Sequence, residues 1–439
     1  MVSPSELQPA ARPLPADGAE SFPSAYAKTR RFSVGLPRNI TITGDGRVLF
    51  LRSRNGTDPV LCLWQLDPTT RDESLLVDPA EALSVEDEEL PAAERARRER
   101  ARESAAGIVS YAVDNSGRRA CFSLGGSLFV VALETGRLTR LSGPRAVFDP
   151  RLSPDGNRIL YVSGDELRLA ELDDDGGDAV GDRSLISPTE PDVGFGRAEF
   201  IAAEEMQRSR GYWWSPRSDQ VLVVRVDESL VNRWWIADPA LPGQAPNEVR
   251  YPVAGSANAQ VGLFLVDLDG ERREIDWDEN GRFEYLADVL WPSDHNPLLV
   301  RQTRHQREVS ITELDPATLS LTERRTINDD IWVELHPGSP TVCDHGLLTV
   351  EDVIPSPAVA GPAATGHRAL VLDGQPITDG SFNVRSIVGA IGDHAVVTAW
   401  TEPSEIHLFL IDLTGGGDAL QLTTTPGVHS AAIGAVAGG

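Results

Sequence analysis

"FDPRLSPDGNRILYVSGDELRLAELD", residues 148–173, decides the fold class. A short apolar run meets the turn Asp155-Gly156, and an alternating segment around "RILYV" follows. Alternation sends every second side chain to one face of a strand, and glycine accepts the positive φ that a tight hairpin demands. The stretch therefore reads as strand, turn, strand, turn, strand. Upstream, "NITITGDGRVLFLRSRNGTDPVLCLWQLDP" (39–68) and "GIVSYAVDNSGRRACFSLGGSLFVVALETGRLTRLSG" (107–143) repeat it, with turns at Asp45-Gly46 and Ser116-Gly117. Downstream, further copies start near Gly211, Phe283, Ile331 and Asn383.

Seven copies at intervals of about 40 to 70 residues have the scale of propeller blades with insertions. The expectation is an all-β chain, a β-propeller of the eight-bladed type with seven blades and an incomplete last one. The tail "GVHSAAIGAVAGG" (427–439) reads as the first strand of that last blade. An array of β-sandwiches is the competing architecture. Repetition without linkers between copies favours the propeller. Residues 1–30, rich in Pro, Ala and Ser without a hydrophobic period, are expected to be disordered or extended, and 31–439 to form the propeller.

Bulk composition narrows the function. The 439 residues are 41% hydrophobic, with 39 glycines and 31 prolines, as suits a packed, turn-rich β protein. The net charge of −26 repels phosphate backbones and anionic lipid, which argues against nucleic-acid and membrane partners. Cys62, Cys121 and Cys343 show neither metal-ligand spacing nor a disulfide framework. They read as reduced core residues of a cytoplasmic protein. No secretory signal and no membrane-spanning apolar run is visible. No phosphate-binding glycine loop or metal cluster occurs, so no cofactor and no metal is expected. The acidic tract from Asp173 to Asp182 lacks the ligand order of a calcium loop and reads as a solvated loop.

Two insertions break the β rhythm. In residues 84–107, Ser84 and Asp87 resemble a capping box, and the Ala/Glu/Arg run from Ala92 to Ala106 favours a helix. In "AEFIAAEEMQRSRGYWWSP" (198–216), Ala198 to Arg208 reads as a short helix carrying Glu204 and Glu205. Adjacent carboxylates repel unless a cation lies between them, and a substrate ammonium is such a cation. The alternative is a solvated pair on a surface helix. Consecutive helical residues diverge by about 100°, so both can flank one cavity only at its lip.

"AEFIAAEEMQRSRGYWWSP", "VDESLVNRWWIADP" and "VRYPVAGSANAQVGLFLVDLDG" resemble the propeller domain of the dipeptidyl peptidase IV family, serine peptidase family S9, subfamily B. The resemblance extends from about Arg30 nearly to the C-terminus. It implies that Glu204 and Glu205 project from the propeller into the active-site cavity and grip a peptide's free N-terminus. Trp213 and Trp214 would begin the strand that anchors their helix. It also implies an arginine from a propeller insertion on a substrate carbonyl: Arg102 is favoured, with Arg98 and Arg100 as neighbours easily confused with it. Arg233, Trp234 and Tyr212 read as structural.

The family's nucleophile lies on a separate α/β-hydrolase domain in a Gly-x-Ser-x-Gly elbow, and that pattern is absent from these residues. His305 and His336 read as turn or strand residues rather than general bases. The expected function is the substrate-gating, N-terminus-binding propeller of a dipeptidyl-peptidase-like serine exopeptidase, with its α/β-hydrolase domain supplied elsewhere or lost. The alternative is a freestanding non-catalytic propeller that binds peptides or a protein partner. A homodimer is a further candidate assembly.

Overall fold

The structure is a computed structural model and describes residues 20–82, 103, 105–173, 179–354, 366–415 and 419–434. Local chemistry sets the hairpins. At the Asp155-Gly156 turn, Gly156 has a φ of +77°, and the Ser153 hydroxyl donates to Asp155 while accepting the Arg158 N–H at 3.0 Å. The strands flanking Gly164 then pair antiparallel, with Leu160 opposite Leu169 and Tyr161 opposite Arg168. Ser215 and Asp219 repeat the side-chain bond one sheet later, at 2.7 Å.

Among the described residues, seven sheets of four or five strands follow one another along the chain, at 38–77, 112–140, 147–186, 193–275, 285–328, 341–376 and 383–421. Within them neighbouring strands pair in chain order, apart from a parallel pairing of Val60–Leu61 with Ala106–Gly107 and, in the fourth sheet, a skipped hairpin and a direct pairing of Val193–Phe195 with Arg225–Asp227. The middle strands, such as Arg158–Ser163 and Leu298–Gln302, are buried at consecutive positions and so have two faces to cover, and consecutive sheets cover them. Leu160 and Leu167 of the third sheet pack with Tyr212, Val223 and Phe264 of the fourth. Leu222 and Leu265 of the fourth pack in turn with Leu286 and Leu299 of the fifth. Sheets stacked face to face in chain order form a β-propeller. The first strands of the second, third and fifth sheets and Arg210–Trp214 of the fourth border one inner cavity of about 630 Å³.

Several expectations are corrected. The tail forms no strand as far as Gly434: Val428 makes an isolated bridge to Ile406, Ile433 lies against Gly389 of the seventh sheet, and Gly434 against Ile42 of the first. It spans two sheets instead of starting another. Residues 22–28, inside the segment read as disordered or extended, form the helix Phe22–Lys28. Ser21 caps it, Glu20 pairs with Lys28 at 2.7 Å, and the rings of Phe22, Tyr26 and Phe32 meet within 6.0 Å. A seven-residue helix is too short to show a period. The helix expected from Ala92 falls largely outside the described residues, and its last member, Ala106, is in a strand. The copy expected from Ile331 reaches its first strand only at Thr341, after a loop.

Cys62, Cys121 and Cys343 are free thiols, the first two buried and the third half-buried. No helix among the described residues is long and apolar enough to cross a membrane. Between strands Gln220–Asp227 and Gln260–Asp267 of the fourth sheet, the hairpin Arg233–Ile236/Asn247–Arg250 stands out from the sheet.

Candidate functional site

The paired glutamates sit at the end of the helix Phe200–Glu205, which precedes the strand Arg210–Trp214. Six residues cannot hold a helix in water unaided, so the anchors matter. Glu199, only 6% exposed, is the N-cap, and its carboxylate accepts the N–H groups of Ile201 and Ala202, the latter at 2.9 Å. Burial raises the Glu199 pKa, opposed by the charge of Arg208, whose Nη2 lies 3.7 Å away. Arg208 is itself buried, which lowers its pKa, and it donates to the carbonyls of Leu286 at 2.9 Å and Arg210 at 2.6 Å. The N–H groups of Met206 and Arg208 both return to the Ala202 carbonyl. Phe200 meets the Tyr251 ring edge-on at 5.1 Å.

Held at both ends, the helix leaves Glu204 half-buried and Glu205 exposed. Neither carboxylate has a hydrogen-bond or ion-pair partner among the described residues. Glu205 opens on a cavity of about 240 Å³, and Glu204, one position round the helix, does not line it. Asp288, Glu334 and His336 share that cavity with apolar Met206 and Leu335. Asp288 comes from the strand Tyr285–Leu290, where desolvation by the cavity walls raises its pKa against the Val289 N–H, which its Oδ1 accepts at 2.8 Å.

Glu334 and His336 come from the loop before the sixth sheet. That loop presses on the seventh: Gly338, at φ +75°, packs so closely that a Cβ would fall 2.0 Å from the Ile387 carbonyl. His336 is 8% exposed, and its ring has no hydrogen-bond partner among the described residues. Burial, then the Arg368 charge, bring its pKa down to about 4, so the imidazole is neutral at pH 7. Three carboxyl groups thus face one small cavity whose arginine, Arg208, already serves Glu199 and two carbonyls. Such a cavity suits a cation.

The expected short helix is present, although Trp213 and Trp214 close the following strand instead of beginning it. Arg102, Arg98 and Arg100 lie outside the described residues. Tyr212 is structural: it is fully buried, with its hydroxyl between the carbonyls of Asp149 and Leu160. Arg233 and Trp234 are on the exposed hairpin, and His305 is in a turn. His336, read as a turn or strand residue, is a buried loop residue on the cavity wall. Asp288 and Glu334 carry no local pattern that marks them. Only the order of blades around the axis brings them to Glu205.

The fold is thus a β-propeller that carries a short carboxylate-bearing helix beside its inner cavity. The family described as Dipeptidyl peptidase IV (DPP IV) N-terminal region matches residues 106–437, and the chain belongs to it. Dipeptidyl peptidase 8 of Homo sapiens is 24% identical over 280 residues, covering 56% of this chain and 31% of that protein. Inactive dipeptidyl peptidase 10 of Rattus norvegicus is 24% identical over 244 residues, covering 54% of this chain and 30% of that protein. The crystal structure of Porphyromonas gingivalis dipeptidyl peptidase 4 superposes with a TM-score of 0.65 at 17% identity, over 90% of this chain and 54% of that chain. The fold is shared, and the chain matches only between 19% and 31% of the length of these curated relatives.

Proposed function

We propose that this propeller selects substrates for a dipeptidyl-peptidase-like serine exopeptidase by binding the free α-amine of a peptide at Glu204 and Glu205. The observation that carries the reading is a pair of carboxylates without partners among the described residues, on a helix anchored at both ends, one of them opening on an acidic cavity. Arg102 is the proposed partner of a substrate carbonyl. The nucleophile would come from an α/β-hydrolase module, because no Gly-x-Ser-x-Gly elbow occurs in these 439 residues. Free thiols fit a cytoplasmic setting.

The test is differential. Glu205→Gln should weaken binding of a free-amine dipeptide by about 1.5–3 kcal/mol, or roughly one to two decades in affinity. The N-acetylated dipeptide should bind poorly to both proteins, since it offers no ammonium. Calorimetric or NMR titration gives all four affinities. Four indistinguishable curves would leave the glutamates a solvated surface pair.

A second reading, peptide capture without hydrolysis, is favoured by the relative whose name calls it inactive. Turnover of an alanyl-prolyl reporter on joining the propeller to a hydrolase module would decide against it. The proposed partner of the exposed hairpin is a second copy of the chain.

A further inference from the structure

The inner cavity, of about 630 Å³, is distinct from the Glu205 pocket but meets it at Asp288 and Leu290, which line both. Two half-buried arginines, Arg151 and Arg210, line it from neighbouring sheets. Arg151 is paired with Asp149 at 2.8 Å. Arg210 is not so placed. Its Nε is buried without a partner, its Nη2 has only a long 3.5 Å contact to the Tyr212 carbonyl, and its guanidinium lies 5.8 Å from the Trp213 ring centre. No carboxylate of the described residues forms an ion pair with it. Asp288 lines the same wall, but its Oδ1 is taken by the Val289 N–H.

A guanidinium nitrogen buried without a hydrogen-bond partner, as the Arg210 Nε is, is costly to keep in a folded protein. Here burial and the adjacent Arg151 charge hold Arg210 down to about 10, so it remains cationic at pH 7. The Arg151 charge acts on Arg210 more strongly than the opposing charge of Asp149, so an anion bound beside the two guanidinium groups relieves the remaining repulsion. The planar fork of arginine matches a carboxylate better than a spherical ion. The cavity is also far larger than an inorganic anion, within the range of pockets that hold small organic ligands. Its walls include Trp213, Trp214 and Trp291.

We propose that Arg210, with Arg151 beside it, forms a binding station in the propeller's inner cavity for the C-terminal carboxylate of a short peptide. This goes beyond amine recognition and does not depend on it.

The probe is N-acetyl-alanyl-proline, which has a carboxylate and no amine, compared with its C-terminal amide. The lining tryptophans supply a fluorescence readout, and NMR titration supplies a second. In the wild-type chain the carboxylate should bind at least about tenfold more tightly than the amide. Arg210→Gln should erase that difference and Arg210→Lys should keep part of it. Asp288→Asn, which removes a competing negative charge, should strengthen carboxylate binding. That variant and the wild-type comparison decide the matter even if Arg210→Gln does not fold. Equal binding of acid and amide to the wild type, or none of either in the millimolar range, would overturn the proposal. Competition by chloride as effective as by the acetylated peptide would also overturn it, showing a simple anion site. Because the probe lacks an amine, its result is independent of the Glu204 and Glu205 reading.

Discussion

His336 shows how one residue's surroundings set its chemistry. In an unfolded chain its imidazole titrates near pH 6.5, whereas in the fold burial and Arg368 bring it down to about 4, with Asp352 and Glu334 pulling the other way. Between these values the unfolded state binds more protons, so stability rises with pH there and is lost as pH falls from about 6.5 towards 4. The size of the effect is of the order of 3 kcal/mol. His336→Asn cannot titrate and should lose less stability than wild type over that interval. Urea midpoints at pH 7.5 and pH 4.5 for both proteins measure it. Carboxylates elsewhere respond alike in the two, so an identical acid response would mean the imidazole is not held neutral. The same residue scale limits what could be read beforehand: a lone histidine in "ELHPG" carries no sign that its ring lines a cavity.

At the scale of the element, the helix Phe200–Glu205 depends on partners outside itself. Glu199 and Arg208 are each expensive to bury as charges, and each offsets the other's cost while capping the helix and bonding to Leu286. Removing one partner leaves the other as an uncompensated buried charge, typically about 3–5 kcal/mol. Arg208→Met should therefore destabilise the protein by about that much. The double variant Arg208→Met with Glu199→Gln should be less destabilised than the single one. Chemical denaturation of the three proteins checks the ordering. If the double variant proves the weakest, the pair is not what secures the helix. The helix was legible from a run lacking turn residues. Its boundaries were not, since Glu199 acts as the cap only because burial among neighbouring blades points its carboxylate back at the Ile201 and Ala202 N–H groups.

For the whole molecule, the outstanding surface is the hairpin of the fourth sheet. Trp234, Trp235 and Ile236 are 48%, 63% and 59% exposed, and Leu241 and Tyr251 extend the same region. Apolar clusters of this kind mark association sites, where buried aromatic side chains carry most of the energy. Paired with a second copy, the wild-type chain should sediment as a dimer at micromolar concentration, and Trp235→Glu should shift it to monomer without loss of thermal stability. A monomeric wild type at that concentration would remove the second copy as the hairpin's occupant.

Much was settled by the sequence alone. Recurring turn chemistry, as at Asp155-Gly156, together with period-two alternation dictates hairpins, and seven unlinked copies leave a propeller as the economical way to cover both faces of every sheet. The adjacent charges of Glu204 and Glu205 likewise mark themselves, because like charges side by side are a local property. Tertiary structure decided the rest. It turned Glu205 to a cavity and Glu204 away from it. It set Asp288, Glu334 and His336 opposite from positions 83 to 131 residues further along the chain. It brought Arg210 and Arg151 to the lining of one inner cavity. The tail read as a strand makes only an isolated bridge as far as Gly434, where it touches the first and seventh sheets. The physical reason is common to all: strand and turn formation depend on neighbours in sequence, whereas burial, ionisation and cavity lining depend on neighbours in space.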